Sequence, residues 1–245
     1  MPRNCVALIN LNAIKKNYLY AKSLAPNSKA IAIIKANAYG HGAIEVANYL
    51  KEYVDFFGVA CIEEAEEILK SGVLNTPILL MEGIFEENEL EVVKKFNLSI
   101  AICNYSQIEW ILKSKSNKKF DIFLKLDSGM GRLGFQEHEV SKIMKNLENS
   151  KKINSITLMT HFSSADNLEN TSTLKQIDKF NLMIGAYRYP KSLANSAGIM
   201  AWNKSYSEFI RPGIMLYGST PIKNNSKKSN LSVTMTLTSS LISIK

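Results

Sequence analysis

Lys35 closes an apolar run, Ala30-Ile31-Ala32-Ile33-Ile34, and Tyr39 follows four residues later, with Gly40 and Gly42 opening a helix. A lysine at the end of a buried strand is costly unless its amine is neutralised or paired. It can therefore be a nucleophilic amine, half of a buried ion pair, or the mark of a strand leaving for solvent. Lys125 sits among apolar residues in Asp121-Ile122-Phe123-Leu124-Lys125-Leu126-Asp127, and Arg132 lies in the loop Ser128-Gly129-Met130-Gly131-Arg132-Leu133-Gly134. His161 closes another apolar run, and Asn195-Ser196 and Arg211-Pro212-Gly213-Ile214 close two more. Glycine lets backbone approach a ligand closely, and small hydroxyl and glycine residues at such ends can offer N–H groups to a phosphate.

Singly, these residues are ordinary. His161 alone is a satisfied core histidine, Ser196 a helix cap, Arg211-Pro212-Gly213 a turn, and Ser-Gly-Met-Gly-Arg lacks the Walker lysine spacing. Together they set an amine able to form a Schiff base opposite a phosphate cup. Pyridoxal 5'-phosphate is the cofactor whose two ends match both.

The elements that must position them alternate. Hydrophobic period predicts strands at 5–10, 30–35, 56–60, 77–81, 98–103, 120–127, 153–160, 191–195 and 208–211. Helical spacing covers Leu11–Leu24, 62–71, 87–96, 106–113, 137–147 and 172–187. Such alternation implies a parallel sheet with right-handed crossovers. The eight strands from residue 30 onward fit an α/β fold, the closed (β/α)8 TIM barrel, which takes about 250 residues and carries its chemistry just after the strands. An open doubly wound sheet is the second choice, and no G-x-G-x-x-G follows the first strand.

The rhythm breaks near the end. The expected division is a lone strand within 1–10, a barrel over 11–222, and from 223 to 245 a polar linker followed by strands. Leu231 to Thr238 alternates apolar and hydroxyl residues with period two, and another strand begins at 241–244. Two strands cannot bury a core of their own. With 5–10 they are expected to belong to a C-terminal β domain whose remainder is absent from the sequence.

The chain has 245 residues, 46% hydrophobic and 21% charged, enough for one barrel-sized domain. Lys+Arg 30 against Asp+Glu 22 gives +8. The lysines at 113–119 and 151–152 stand beside Ser and Asn, and read as solvated loops rather than a phosphate-tracking patch. A nucleic-acid-binding module rests on charge alone. Cys5, Cys61 and Cys103 are far apart and suggest neither a disulfide framework nor a metal site, which fits a cytoplasmic setting. Neither a signal peptide nor an apolar run of roughly 18 residues is evident, so no membrane span is expected.

Four segments carry a resemblance: Ile34-Lys35-Ala36-Asn37-Ala38-Tyr39-Gly40-His41-Gly42, Lys125 to Gly134, Ala194-Asn195-Ser196 and Arg211-Pro212-Gly213-Ile214. They resemble, in register over nearly the whole chain, the barrel domain of bacterial alanine racemase. The resemblance implies pyridoxal phosphate in aldimine linkage with Lys35, which is also the base on one face of the substrate. It implies a phosphate held by Tyr39, Ser196, Gly213 and Ile214 beside Asn195. Arg211 would face the pyridine nitrogen with His161 behind it, and Arg132 would reach the cofactor's phenolic oxygen and the substrate carboxylate. Lys125 matches a position often carbamylated in the family, where the new anion pins Arg132.

The activity so implied is interconversion of L- and D-alanine, supplying D-alanine for peptidoglycan, by a homodimer with no nucleic-acid or membrane partner. The family's second base, a tyrosine from the partner subunit's C-terminal domain, has no counterpart in these residues, so they are expected to bind cofactor and racemise poorly. A single-domain pyridoxal-phosphate homeostasis protein without turnover shares the barrel, but explains neither the strands begun at 231–244 nor Arg132. A fold-type III decarboxylase is disfavoured by Arg211. A carboxylate would keep the pyridine nitrogen protonated as a strong electron sink, whereas an arginine disfavours that proton.

Overall fold

Eight parallel strands close on themselves in a computed structural model that describes residues 5–222, 229–241 and 243. They are β2 (Lys29–Ile33), β3 (Phe56–Val59), β4 (Ile78–Leu80), β5 (Ser99–Ile102), β6 (Phe120–Lys125), β7 (Ile153–Met159), β8 (Lys191–Ser192) and β9 (Phe209–Ile210). Each pairs with the next, and β9 returns to β2 through Lys29↔Phe209 and Ala30↔Ile210. The intervening helices are α2 (Lys35–Gly40), α3 (Ala43–Leu50), α4 (Ile62–Lys70), α5 (Leu90–Phe96), α6 (Tyr105–Lys113), α7 (Glu137–Glu148), α8 (Ser172–Ile184) and α9 (Ser196–Ala201). This is the expected (β/α)8 barrel. Before it come β1 (Cys5–Ile9) and α1 (Leu11–Leu24).

The strands are apolar on both faces because alternate residues point into the barrel and out toward the helices. Ile31, Ile33, Leu79, Ala101, Cys103, Phe123 and Met159 form one buried cluster. Ala30, Ala32, Ile100, Ile122 and Leu124 join the buried faces of the helices in a second, larger one. Burying a side chain such as Ile31 stabilises by about 1.5–3 kcal/mol. Gly58 in β3 makes this packing feasible, since a Cβ there would stand 2.6 Å from Cδ1 of Ile33. Asparagines start three helices: the Oδ1 atoms of Asn10, Asn104 and Asn195 accept from the N–H of Ala13, Gln107 and Gly198.

Several elements are shorter than their sequence pattern. β2 stops at Ile33, so Lys35 lies beyond the strand and is half-buried. β8 covers only Lys191–Ser192; beyond it the backbone N–H of Arg211 donates to the carbonyl of Ala194 at 2.9 Å and its guanidinium to the carbonyls of Ser192 and Leu193. The pattern at 87–96 splits into a 3-10 turn, Glu87–Glu89, and α5.

β1 pairs antiparallel with β10 (Met235–Ser239), from Cys5↔Ser239 to Ile9↔Met235. The alternation of 231–238 predicts a half-buried strand, yet β10 is exposed along its length and the strand starts only at Met235. A period of two reports which residues share a face, and among the described residues only Ile9 of this ribbon packs against the barrel's core. Residues 223–228 of the expected linker, and 242 and 244 of the expected last strand, lie outside the described residues. Among those described, no helix is long and apolar enough to cross a membrane.

Candidate active site

The chain leaves β2 through a backbone that L-residues avoid. Ala36, Asn37, Ala38 and Tyr39 all have φ of 52–53°, so α2 is a left-handed turn. Each such residue costs roughly 1–2 kcal/mol, and the neighbours supply the compensation. The N–H of Ala36 donates to Oε1 of Glu64 at 2.7 Å, and the same carboxylate accepts from Ala60. The N–H of Ala43 donates to Oδ1 of Asn37 at 2.7 Å, and that of Ala38 to the carbonyl of Ile34 at 2.9 Å. Strain held this firmly is characteristic of functional sites.

Lys35 and Tyr39 open onto a cavity of about 470 Å³ at the C-terminal mouth of the barrel. Every residue given a site role from the sequence lines it. Lys125 enters from β6 and Arg132 from the glycine-rich loop behind it; His161 follows β7, Asn195 and Ser196 follow β8, and Arg211, Gly213 and Ile214 follow β9. Lys35, Lys125, Arg132 and Arg211 outnumber Glu82 and Asp166 on the wall, so the cavity favours an anionic ligand.

Arg211 is 2% exposed. Its Nη1 donates to the carbonyl and Oγ of Ser192, at 2.7 and 2.5 Å, and its Nη2 to the carbonyls of Thr160 and Leu193, at 2.6 and 3.1 Å. Its Nε is buried and has no partner among the described residues. Burial lowers the guanidinium to about 9, which leaves it charged at neutral pH. Lys125, also buried, is lowered from the ordinary lysine value, first by desolvation and then by the nearby cations Arg211 and Arg132.

Arg132 is exposed on a loop built around Asp127. Oδ1 of Asp127 accepts the N–H groups of Gly129, Met130 and Gly131 at 2.9–3.0 Å, and Oδ2 accepts from Nε2 of Gln136 at 3.2 Å. Burial by itself would raise this carboxyl, but those donors bring it below the ordinary value. The sequence pattern suggests glycines that admit a ligand; here they let the backbone fold around a carboxylate. Gly134 is needed sterically, for at φ +113° its Cβ would stand 2.8 Å from the carbonyl oxygen of Lys125.

At the opposite rim, Oγ of Ser196 accepts from the N–H of Gly213 at 2.9 Å and of Met215 at 3.3 Å, which leaves its own proton for a group in the cavity. A Cβ on Gly213 would lie 3.0 Å from the hydroxyl of Tyr39. The amine and this rim of hydroxyls therefore belong to one cavity.

The comparisons with known proteins follow the same outline. The family model described as alanine racemase, N-terminal domain, matches residues 9–221. The chain belongs to the alanine racemase family. It is 40% identical over 240 residues to the catabolic alanine racemase of Pseudomonas putida, covering 98% of this chain and 67% of that protein. To the alanine racemase of Xylella fastidiosa strain 9a5c it is 42% identical over 220 residues, 90% of this chain and 60% of the relative. The crystal structure of the biosynthetic alanine racemase from Pseudomonas aeruginosa superposes with a TM-score of 0.91 at 37% identity, covering 96% of this chain and 66% of that one. The alanine racemase of Bartonella henselae, crystallised with covalently bound pyridoxal phosphate, superposes at 0.87 with 30% identity, 96% of this chain and 66% of that one. The chain thus spans roughly two thirds of its racemase relatives.

Some residues around the family's cavity were not legible beforehand. Ser192 and Thr160 hold Arg211 with strand atoms that look like any barrel strand. Gln176 of α8 donates to the carbonyl of His161 at 3.0 Å and accepts from the N–H of Ser163 at 2.9 Å, bracing the loop after β7. Tyr217 stacks on Tyr39, with ring centroids 4.8 Å apart. The Leu216-Tyr217-Gly218 ending, an aromatic before a glycine, was the one available hint.

Proposed function

We propose that this chain is the cofactor-binding barrel of an alanine racemase, with pyridoxal 5'-phosphate joined to Lys35 and L- and D-alanine as substrate and product. The observation that supports it best is the buried, partnerless Nε of Arg211, a residue that lines the same cavity as Lys35, Tyr39, Ser196 and Gly213. An N–H donor there suits an unprotonated ring nitrogen, and the rim of hydroxyl donors suits a phosphate. The residues present therefore fit the cofactor.

Bound there, the cofactor would supply an electron-withdrawing ring that eases loss of the substrate's α-proton. Nζ of Lys35 takes or returns that proton on one face. Arg132 holds the substrate carboxylate, Tyr39, Ser196, Gly213 and Ile214 hold the phosphate, and Asn195 keeps α9 in place behind Ser196 through its cap on Gly198. Arg211 donates to the ring nitrogen, which disfavours a proton on it and steers the reaction toward racemisation. His161, 3.4 Å from Nη2 of Arg211, supports that guanidinium.

Lys125 completes the reading as a carbamate. Burial keeps its amine less basic than an ordinary lysine, and a neutral amine adds CO2 with release of one proton. The resulting anion would face Arg132 and Arg211 rather than repel them. The pairing of β1 with β10 supports a second, β domain to which residues 1–10 and 223–245 contribute. D-alanine for peptidoglycan, a cytoplasmic setting and a homodimer complete the reading.

Borohydride reduction of the protein with pyridoxal phosphate, followed by peptide mapping, tests the site. A single label on Lys35, lost in Lys35→Ala, is expected; label on another lysine overturns the assignment. Chiral analysis of alanine incubated with the holoenzyme tests the activity.

A further inference from the structure

The segment that returns to the barrel after residue 228 is pegged to it at buried positions. Asn17 of α1, fully buried, donates from Nδ2 to the carbonyls of Leu216 and Ser232, at 3.0 and 2.9 Å, and its Oδ1 accepts from the N–H of Ser232 at 2.7 Å. Gly218 has φ +80°, and a Cβ there would stand 2.4 Å from the carbonyl oxygen of Ser232, so the fit leaves no slack.

Two residues on, Thr234 is 1% exposed and connects this segment to the cavity. Its Oγ1 donates to the carbonyl of Tyr217 at 2.7 Å and lies 3.0 Å from Nε2 of His41. Nδ1 of His41 lies 3.1 and 3.2 Å from the carbonyls of Ala38 and Tyr39. The Tyr217 ring stacks on Tyr39 and lies 4.6 Å from the ring of His41, while its hydroxyl donates to the carbonyl of Ile33 at 2.8 Å.

We propose that Thr234, His41 and Tyr217 are positioning residues that transmit the docking of residues 231–239 to the phenol of Tyr39. The argument rests on the proposed cofactor reading, in which Tyr39 meets the phosphate. The left-handed backbone at 36–39 is disfavoured in isolation, so its occupancy depends on what holds its carbonyls and rings. Thr234 reaches both holders. Without its hydroxyl, His41 and the carbonyl of Tyr217 each lose a partner, and the turn carrying Tyr39 is less restrained.

The test is a double-mutant cycle on the full 245-residue chain, reading affinity for pyridoxal phosphate and for phosphate-free pyridoxal. Thr234→Val keeps the shape and removes the hydroxyl. It is expected to weaken pyridoxal phosphate binding about tenfold, the equivalent of the lost hydrogen bonding, and to leave pyridoxal binding within about twofold. Thr234→Ser restores the hydroxyl and the wild-type affinity. In a Tyr39→Phe background, Thr234→Val adds no further loss. Unchanged affinity in Thr234→Val overturns the proposal. So does an equal loss for pyridoxal, or a full additional loss beside Tyr39→Phe, because either marks general destabilisation. Failure of the wild-type chain to bind pyridoxal phosphate at Lys35 overturns the cofactor reading itself and is seen before any variant is made.

Discussion

Nη2 of Arg211 lies 3.4 Å from Nδ1 of His161, and since a guanidinium only donates, the histidine presents a lone pair there. Burial, followed by the cation of Arg211 beside it, lowers His161 to about 3. The imidazole is therefore neutral wherever the protein is folded, and its partner keeps the charge.

That neutrality has a stability signature. An unfolded histidine takes up a proton below about pH 6.5, whereas the native one does not until about pH 3. Between these limits the unfolded state binds more protons, so stability rises with pH and is flat above the window. From pH 7 to pH 5 this group should cost about 2 kcal/mol. Urea unfolding at the two pH values measures it, and His161→Gln should flatten the dependence. A wild-type profile with no drop over that range would contradict the buried neutral state.

Ala36, exposed at φ 52°, sits where only glycine is free of strain. Ala36→Gly relieves roughly 1–2 kcal/mol in the native state and gives back about 0.4–1 kcal/mol through the looser unfolded chain. A net gain of about 0.5–1 kcal/mol in unfolding free energy is expected. A clear loss in urea titration would show that the turn is not left-handed in solution.

Two glycines of the Arg132 loop should respond differently. Gly134→Ala puts a Cβ against the carbonyl of Lys125 at 2.8 Å, whereas Gly131→Ala, at φ +69°, meets open space. Backbone strain alone predicts about 1 kcal/mol for Gly131→Ala. Strain with overlap predicts about 2–4 kcal/mol for Gly134→Ala. Thermal melts of the pair decide it; equal shifts would mean the loop is not closed around Asp127.

Arg211 controls what the cofactor does on the proposed reading. Replacing its donor by a carboxyl, Arg211→Glu, should raise transamination relative to racemisation, seen as pyridoxamine phosphate and pyruvate formed from alanine. Arg211→Lys keeps a cationic donor at the same position and should not. Unchanged product partition in Arg211→Glu would remove the ring nitrogen from the argument.

The barrel was legible because its signal is repetitive. Apolar runs such as 30–34 and 120–124, separated by amphipathic stretches, carry the two periods that distinguish strand from helix, and a parallel sheet buries both faces. Element ends were less legible. β8 reads as five residues and forms two, since an apolar run does not say which of its residues find ladder partners on the neighbouring strands. The exposed β1–β10 ribbon shows the same limit, since alternation cannot say whether anything covers the apolar face.

The sequence by itself determined the residue types and their order: an amine after one strand, cations and hydroxyls after four others, and glycines where the backbone must turn. Covalent order and hydrophobic period suffice for that, because both are local. Only the tertiary structure decided that these ends share one cavity, that Nε of Arg211 is left unpartnered, and that residues 36–39 turn left-handed. Those outcomes depend on contacts between residues far apart in sequence, such as Asn17 with Ser232 and His41 with Thr234, which no local pattern encodes.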